Sequence, residues 1–299
     1  MQSGTVQLGK VGVFSFPLVA LPFPVVRDLV AQLEAQGWSA VWMPETMSGD
    51  PLVRAGQILS ATERMAVATG IASIWLRSPL AMSNASRQLA QDHPGRFLLG
   101  LGVSHGPVVE GVLGEKWERP LQRMRDYLDT LDAAPSLLPS SSGRPPRVLA
   151  ALREGMLRLA AERADGAHPY LVPPDHTRRA REILGEGPLL CVEQKVVLET
   201  DPDKARTTAR RTLAMYLGLP NYAKNLRWLG FTEEDLASGG SDRLVDALVV
   251  WGDEEDVLRR VREHFDAGAD HVCVQVLTSN PIDPGVDVLA RLAPVLTAA

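Results

Sequence analysis

The 299-residue sequence predicts a single-domain (β/α)8 barrel, or TIM barrel, that spans residues 1–299. Two observations support this fold class. Strand-like apolar runs alternate with helix-period segments along the chain, and eight such runs can be found. Most of the runs are almost continuously apolar, as in residues 97–103 (FLLGLGV), which is typical of parallel strands that helices cover on both faces. Eight units in a chain of this length favour a closed barrel over a doubly wound open sheet.

The clearest units consist of a helix-period segment, a glycine and a strand-like run. A glycine just past the last helical residue can adopt the left-handed conformation that ends a helix without a Cβ clash. The pattern occurs three times: at residues 25–36, Gly37 and 40–43; at 156–164, Gly166 and 168–172; and at 254–267, Gly268 and 271–277. Each occurrence predicts one helix followed by one barrel strand.

Five further apolar runs complete the set of eight strands; they are residues 10–16, 65–74, 96–103, 147–152 and 189–198. Segment 135–146 is rich in serine and proline, so we expect a surface loop there, with a linker between two smaller domains as the alternative. Residues 201–248 are mostly helical and exceed what one unit needs. They are predicted to be a helical insertion that precedes the last strand and covers the barrel mouth.

Composition restricts the partners and the compartment. The net charge of −5 argues against nucleic acid, because binding to a phosphate backbone needs clustered lysine and arginine. The apolar stretch 14–26 contains three prolines and is too short to span a membrane. No basic segment followed by an apolar run opens the chain, so we expect a cytoplasmic protein. Cys191 and Cys273 each lie in an apolar run and are predicted to be buried thiols rather than a disulfide.

In such a barrel the chemistry lies in the loops that follow the strands. The first of these loops, residues 17–23, is almost wholly apolar and is expected to line a pocket and to contribute to specificity together with the insertion. The six histidines are scattered without metal-ligand spacing, and Gly100-Leu101-Gly102 lacks the third glycine of a dinucleotide motif. A pocket with few ionisable groups suits an enzyme whose cofactor carries the electrons.

Several motifs together resemble the luciferase-like superfamily, particularly its coenzyme F420-dependent oxidoreductases. They are ATGI at residues 68–71, SPL at 78–80, PGRFLLGLGVSH at 94–105, LAAL at 149–152 and LAAERADG at 159–166. The similarity covers most of residues 10–172. It implies a deazaflavin (F420) or a flavin lying across the barrel mouth, and a homodimer.

The resemblance also implies which residues hold the cofactor. Family members often have a non-prolyl cis peptide bond in the third strand, and the matching bond here is Gly70–Ile71, with a plain trans strand end as the alternative. The candidate cofactor-binding residues are Gly70, Ile71, Ala72, Gly102, Val103, Ser104, Arg153, Glu154, Gly155, Met156 and Val172. Residues 153–156 open a helix whose first amides, with Arg153, could attract a cofactor phosphate; the alternative is an ordinary solvated helix start.

Two side chains are candidate catalytic residues. His105 follows the fourth strand, near a position where several family members carry an acidic proton donor, and an imidazole can give or take a proton near neutral pH. A structural or substrate-contact role is its alternative. Glu45 follows the second strand, where many family members carry His or Asp instead. It could contact the ring or the substrate, or it could only bind neighbouring loop amides.

Two further groups of side chains are expected to be structural. They are the histidines His168, His264 and His271, and the tryptophans Trp75, Trp117, Trp228 and Trp251, of which Trp75 is within reach of a ligand.

The leading functional hypothesis is hydride transfer between F420 and an organic substrate. An FMN-dependent monooxygenase and a non-catalytic flavin-binding protein are the alternatives, because fold alone does not choose among them.

Overall fold

The computed structural model describes residues 4–47, 49–135 and 144–298 of the chain. Its strands are β1 (Val11–Phe14), β2 (Ala40–Met43), β3 (Ala66–Thr69), β4 (Ala72–Ser73), β5 (Phe97–Gly102), β6 (Arg147–Leu149), β7 (Gly166–Ala167), β8 (Leu189–Val197), β9 (Val249–Trp251) and β10 (His271–Val276). Every pairing between these strands is parallel.

The strands close into a barrel of eight positions, as predicted. β10 closes the ring because it pairs with β1 on one edge, where Val13 faces Val274, and with β8 on the other, where Val192 faces Val272. β3 and β4 together occupy the third position, since both pair with β5. β9 is an extra strand that pairs with the last three residues of β8.

A ring of helices surrounds the barrel, in the order α2, α3, α4, α6, α7, α8, α13, α14 and back to α2. The helices are α1 (Pro17–Ala20), α2 (Phe23–Ala35), α3 (Pro51–Ala61), α4 (Pro79–Asp92), α5 (Gly106–Gly111), α6 (Pro120–Asp132), α7 (Glu154–Arg163), α8 (Pro174–Leu184), α9 (Pro202–Leu217), α10 (Pro220–Trp228), α11 (Glu233–Leu236), α12 (Asp242–Leu248), α13 (Glu254–Asp266) and α14 (Val286–Leu296). None of the helices described is both long and apolar enough to cross a lipid bilayer.

Local sequence explains where several helices begin. Asp50 accepts hydrogen bonds from the amides of Leu52 and Val53 at the start of α3, and Ser78 accepts one from Ala81 at the start of α4. Asp253 forms a capping box at the start of α13. These caps satisfy amides that a helix leaves unpaired.

Four sequence predictions need correction. The sixth strand is β7 at residues 166–167 rather than 168–172, because Leu171 has a positive φ of 60° and the chain leaves the sheet. The third strand is interrupted between β3 and β4.

The predicted helical insertion is present as α9 to α12 with a short 3-10 helix, but β9, which follows it, was not predicted. Residues 17–23 do not remain a loop, because Pro17–Ala20 form α1 with three buried side chains. The predicted loop 135–146 lies mostly outside the described residues.

Two apolar layers form the core. One fills the barrel interior and includes Phe14 and Trp42 together with Cys191 and Cys273, which are free thiols, as predicted. The other, larger layer lies between the barrel and the helices. Trp42 Nε1 donates to Nε2 of His271 at 3.0 Å, and Nδ1 of His271 donates to the Gly9 carbonyl at 2.9 Å, so the indole nitrogen and both nitrogens of this imidazole are satisfied.

Close packing between β3 and β5 depends on Gly100. A Cβ at Gly100 would lie 1.9 Å from the Thr69 carbonyl oxygen. We expect Gly100→Ala to lower the free energy of unfolding by about 3 kcal/mol, because the backbone of β3 or of β5 must move to make room for the added methyl group. Gly111→Ala is the control, since a Cβ there would meet nothing within 4 Å. Denaturant unfolding that shows equal effects for the two variants would contradict this account.

Candidate active site

A cavity of about 780 Å³ lies at the carboxyl ends of the barrel strands. Loops that follow β1, β2, β3, β5, β6 and β7 form its walls, and α9 and α10 of the insertion close over it. The lining is predominantly apolar, and its aromatic side chains are Phe14, Phe16, Trp117, Tyr170, Tyr216, Tyr222 and Trp228. A largely apolar cleft of this size with a few polar groups is typical of a small-molecule or cofactor site.

The structure brings most of the predicted site residues to this cavity. Those on its walls are Glu45, Gly70, Ile71, Gly102, Val103, Ser104, His105, Arg153, Glu154, Gly155 and Met156. Ala72 and Val172 are buried in the protein and do not line the cavity. The predicted apolar loop at residues 17–23 does not line it either, because α1 packs into the core. Phe14 and Phe16 provide the apolar wall on that side instead.

The Gly70–Ile71 peptide bond is cis, as the resemblance implied. It lies between β3 and β4, on the cavity wall. The backbone on both sides of the bond is held by β2 and its loop. Gly70 donates to the carbonyl of Met43 at 2.8 Å, and the amide of Glu45 donates to the carbonyl of Ile71 at 3.1 Å.

Glu45 uses its carboxylate to hold the same segment. One oxygen accepts from the Ser73 amide at 2.6 Å, and the other pairs with Nη1 of Arg77 at 2.5 Å. Arg77 also pairs with Asp50 at 2.6 Å. Burial raises the pKa of the Glu45 carboxyl above its ordinary value, while the Ser73 amide and the Arg77 guanidinium oppose that shift. The carboxylate therefore binds the Ser73 amide and the Arg77 guanidinium, while Glu45 also lines the cavity.

His105 lies at the start of α5 with its ring in the cavity wall. The preceding residue, Ser104, has a positive φ of 60°, a conformation that non-glycine residues adopt rarely and mostly where surrounding structure enforces it. The ring lies 5.2 Å from that of Tyr222, and its Nδ1 is buried without a hydrogen-bond partner among the described residues. Burial lowers the pKa of His105 below 6.5, so the imidazole is neutral at pH 7.

The start of α7 contributes a region suited to anions. Glu154 turns its carboxylate to Arg158, at 2.8 Å, on the exposed side of the helix. The Met156 amide donates to the Arg153 carbonyl at 3.1 Å, whereas the amides of Glu154 and Gly155 precede the first intrahelical acceptor and lie at the positive end of the helix dipole. Arg153, immediately before the helix, donates from Nη2 to Oδ1 of Asn221 at 2.9 Å and so connects α7 to α10.

A tyrosine cluster, which the sequence did not predict, forms one side of the cavity. Three of the four tyrosines of the chain, Tyr170, Tyr216 and Tyr222, are in its lining. The hydroxyls of Tyr170 and Tyr216 are 2.8 Å apart, and Tyr170 donates to Gln275 at 2.8 Å. Burial raises the pKa of all three phenols above 10, so they remain protonated at neutral pH. Tyr216 and Tyr222 come from the insertion, whose position over the barrel has no local sequence signal.

A buried ion pair lies behind this cluster. Nζ of Lys195 is 3.0 Å from Oε1 of Glu193, and both side chains are fully buried. Nζ also donates to Gln275 at 3.1 Å and lies 3.8 Å from the ring centroid of Tyr170. Glu193 accepts from the Leu171 amide at 3.0 Å, which helps to hold the positive-φ turn after β7. The pair therefore fixes the tyrosine that lines the cavity.

Three side chains expected to be structural lie in the cavity wall instead: His168, Trp117 and Trp228. The other two histidines, His264 and His271, have both ring nitrogens bonded within the protein, as expected. Trp75 is not in the lining, and its Nε1 donates to the Val103 carbonyl at 2.8 Å. In the part of the chain that the structure describes, no group of three or more His, Cys, Asp or Glu side chains is arranged to hold a metal ion.

Comparison with known proteins gives the family of this chain. The family model for luciferase-like monooxygenases matches residues 10–271. The chain belongs to this family. The luciferase-like chain is 26% identical to a Mycobacterium tuberculosis protein whose name describes a coenzyme F420-dependent oxidoreductase, over 88% of this chain and 93% of that protein.

Solved structures with the luciferase-like fold superpose over almost the whole chain. An F420-dependent secondary alcohol dehydrogenase in complex with an F420–acetone adduct has a TM-score of 0.72 at 15% identity, covering 96% of this chain and 99% of that one. The oxygenating constituent of 3,6-diketocamphane monooxygenase from Pseudomonas putida, in complex with FMN, has a TM-score of 0.70 at 16% identity, covering 96% and 98%. At these identities the two structures establish the shared fold only.

The contacts of Glu45 predict that this carboxylate stabilises the segment around residues 70–73. Glu45→Gln should lower the free energy of unfolding by about 2 kcal/mol, because a charged hydrogen bond and half of a nearly buried ion pair are lost. Glu63→Gln is the control, since that side chain is 88% exposed and lies 3.9 Å from Arg64. It should change stability by less than about 0.5 kcal/mol. Thermal and denaturant unfolding would measure both, and equal losses would refute the assigned role.

Proposed function

We propose that the protein is an F420-dependent oxidoreductase that transfers a hydride between the deazaflavin and a small organic substrate. The observation that carries this proposal is the cavity in which an apolar wall, an anion-attracting helix start and the unpartnered Nδ1 of His105 converge. Membership of the luciferase-like family and the similarity to a protein named for coenzyme F420 support the cofactor assignment.

The residues present fit such a cofactor. A cavity of about 780 Å³ lies within the range of cofactor pockets, and its lining is mainly apolar, as a flat ring requires. The chemistry supplied by a bound deazaflavin is the exchange of a hydride with the substrate. In this assignment Gly70, Ile71, Gly102, Val103 and Ser104 form the wall against the ring. Ala72 and Val172, which do not line the cavity, would support that wall from behind.

In the same assignment the start of α7 would bind the cofactor phosphate. The amides of Glu154 and Gly155 would provide partial positive charge and the guanidinium of Arg153 full positive charge for the phosphate. Because Glu154 directs its carboxylate to Arg158, it does not oppose an anion there.

His105 would handle the proton. Since the ring is neutral at pH 7, its free Nδ1 is suited to accept a proton from a substrate hydroxyl as the hydride leaves the adjacent carbon. In the opposite direction the same atom would return the proton. Glu45 would act as a positioning residue through Ser73 and Arg77.

A second candidate is an FMN-dependent monooxygenase. It is favoured by the family description and by the similar fold of the FMN-containing structure, whose TM-score of 0.70 is nearly that of the F420 enzyme. A non-catalytic flavin-binding protein is the third candidate, and turnover of any substrate would exclude it.

We also propose a homodimer in the cytoplasm. The apolar side chains of Val25, Val53 and Leu80 are exposed on α2, α3 and α4, which are neighbouring helices. A shared apolar face of this kind suits a second copy. Two buried free thiols are compatible with a reducing compartment.

Cofactor binding tests the proposal directly. The purified protein should shift the absorbance band of F420 on mixing and should bind F420 more tightly than FMN. Arg153→Met should weaken F420 binding about tenfold, because a phosphate contact is lost. Arg178→Met, which removes an exposed ion pair with Asp175 on α8 outside the cavity, should leave binding within about twofold. Tighter binding of FMN would favour the monooxygenase, and binding of neither cofactor would refute both enzyme assignments.

The lowered pKa of His105 predicts the pH dependence of turnover. A base must be unprotonated, so the rate of substrate oxidation should rise with pH through a pKa below 6.5 and then level off. His105→Gln should remove this dependence and reduce kcat by about 10² to 10⁴. The control is His93→Gln, because His93 lies at the end of α4 outside the cavity. A pH profile unchanged in His105→Gln would exclude His105 as the base.

A further inference from the structure

His168 differs from the other buried histidines in where its unpartnered nitrogen lies. His264 and His271 use both ring nitrogens in hydrogen bonds within the protein. His176 leaves Nδ1 unpartnered among the described residues but does not line the cavity. His168 leaves Nε2 unpartnered and does line the cavity. A buried polar atom without a partner in the protein is rare enough to require an explanation.

The tautomer of His168 is fixed by its one hydrogen bond. Nδ1 lies 2.9 Å from the carbonyl oxygen of Cys191, and a carbonyl oxygen can only accept. Nδ1 therefore carries the hydrogen, and Nε2 presents a lone pair. Burial lowers the pKa of His168 to about 4, with Lys195 and His271 contributing to the shift, so the ring is neutral at pH 7. At this pH Nε2 is an acceptor and not a donor.

Packing holds the ring of His168 in one orientation. It stacks on Trp42 with ring centroids 4.4 Å apart and an interplanar angle of 18°, and it is nearly parallel to Phe14 at 6.0 Å. Nε2 lies 3.2 Å from the point that a Cβ on Gly70 would occupy, so it is next to the cis bond in the cavity wall. Only 1% of the side chain is exposed. The acceptor is already oriented, but because Nε2 itself is buried, a ligand donor reaches it only by a small shift of the wall beside Gly70.

We infer that His168 is a specificity-determining residue whose Nε2 accepts a hydrogen bond from a neutral O–H or N–H group of the bound ligand. The inference rests on the proposed function, because the donor belongs either to the cofactor ring or to a substrate hydroxyl. A ligand that presents an acceptor, or no polar group, at this point leaves Nε2 unpaired and is selected against.

Three variants test the inference. His168→Phe keeps an aromatic ring for stacking but cannot accept a hydrogen bond, whereas His168→Gln retains an acceptor. The control, His271→Phe, contacts the same Trp42 but loses two hydrogen bonds that lie wholly within the protein. If the donor is on the cofactor, His168→Phe should weaken F420 binding about 5- to 10-fold relative to wild type. His168→Gln should weaken F420 binding less than His168→Phe does, and His271→Phe should change it less than twofold.

Nitrogen NMR of ¹⁵N-histidine-labelled protein provides a readout that does not depend on activity. In the free protein Nε2 of His168 should resonate as an unprotonated imidazole nitrogen. F420 alone should move this resonance towards the hydrogen-bonded position if the donor is on the cofactor. If the donor is a substrate hydroxyl, the resonance should move only when 2-propanol is added to the F420 complex.

Two results would overturn the inference. A hydrogen on Nε2 in the free protein would do so whether or not any cofactor binds. A resonance that stays fixed in F420 with and without 2-propanol, although the wild-type protein oxidises 2-propanol with F420, would do so as well, and would indicate a permanently bound water at Nε2. Failure of the proposed function would be recognised separately, because wild-type protein would not bind F420 in the absorbance titration. His168 would then be tested in the same way with FMN.

Discussion

The pairing of β10 with both β1 and β8 is the constraint on which the rest of this structure depends. It joins the first and last barrel strands and makes all eight positions parallel members of one ring. The loops after β2, β3, β5, β6 and β7, far apart in sequence, therefore meet at one rim. Without that closure Glu45, Gly70, His105 and Arg153 would lie along an open edge and could not surround one ligand.

Burial of charge beside the cavity is the second organising feature. Removing Lys195 and Glu193 from water is costly, so each ion needs its partner and further hydrogen bonds. Gln275 and the Leu171 amide provide these, and the Tyr170 ring lies against Nζ of Lys195. The arrangement places a neutral phenol, rather than a charge, at the cavity surface. Burial keeps the imidazoles of His105 and His168 neutral in this apolar surrounding, one suited to proton exchange and one to accepting a hydrogen bond.

Much of the fold and part of the site could be predicted from local pattern. The helices that end before Gly37 and Gly268 and the polar loop at Gly102–His105 follow from short motifs, because backbone conformation there depends on nearby residues. Gly166 is the exception, because it lies in β7 rather than at the end of α7. The cis Gly70–Ile71 bond was implied by the family resemblance alone. The sixth strand was placed too late because Tyr170-Leu171-Val172 has strand-like composition, while the Glu193 carboxylate holds Leu171 in a turn. The resemblance implied Ala72 and Val172 as cofactor-binding residues, but a sequence motif says nothing about the direction of a side chain within a packed wall, and both are buried away from the cavity.

The sequence by itself determined the eight alternating units and the loops that bear the candidate site, since apolar periodicity and glycine positions are properties of neighbouring residues. The luciferase-like family was indicated by the resemblance of its motifs, which also lie within short segments. Tertiary structure alone decided which side chains face the ligand. Tyr216, Tyr222 and Trp228 come from an insertion whose position depends on packing over a closed barrel. His168 looks like a core residue in sequence, and only the contact of Nδ1 with Cys191 shows that its other nitrogen carries a lone pair with no partner among the described residues.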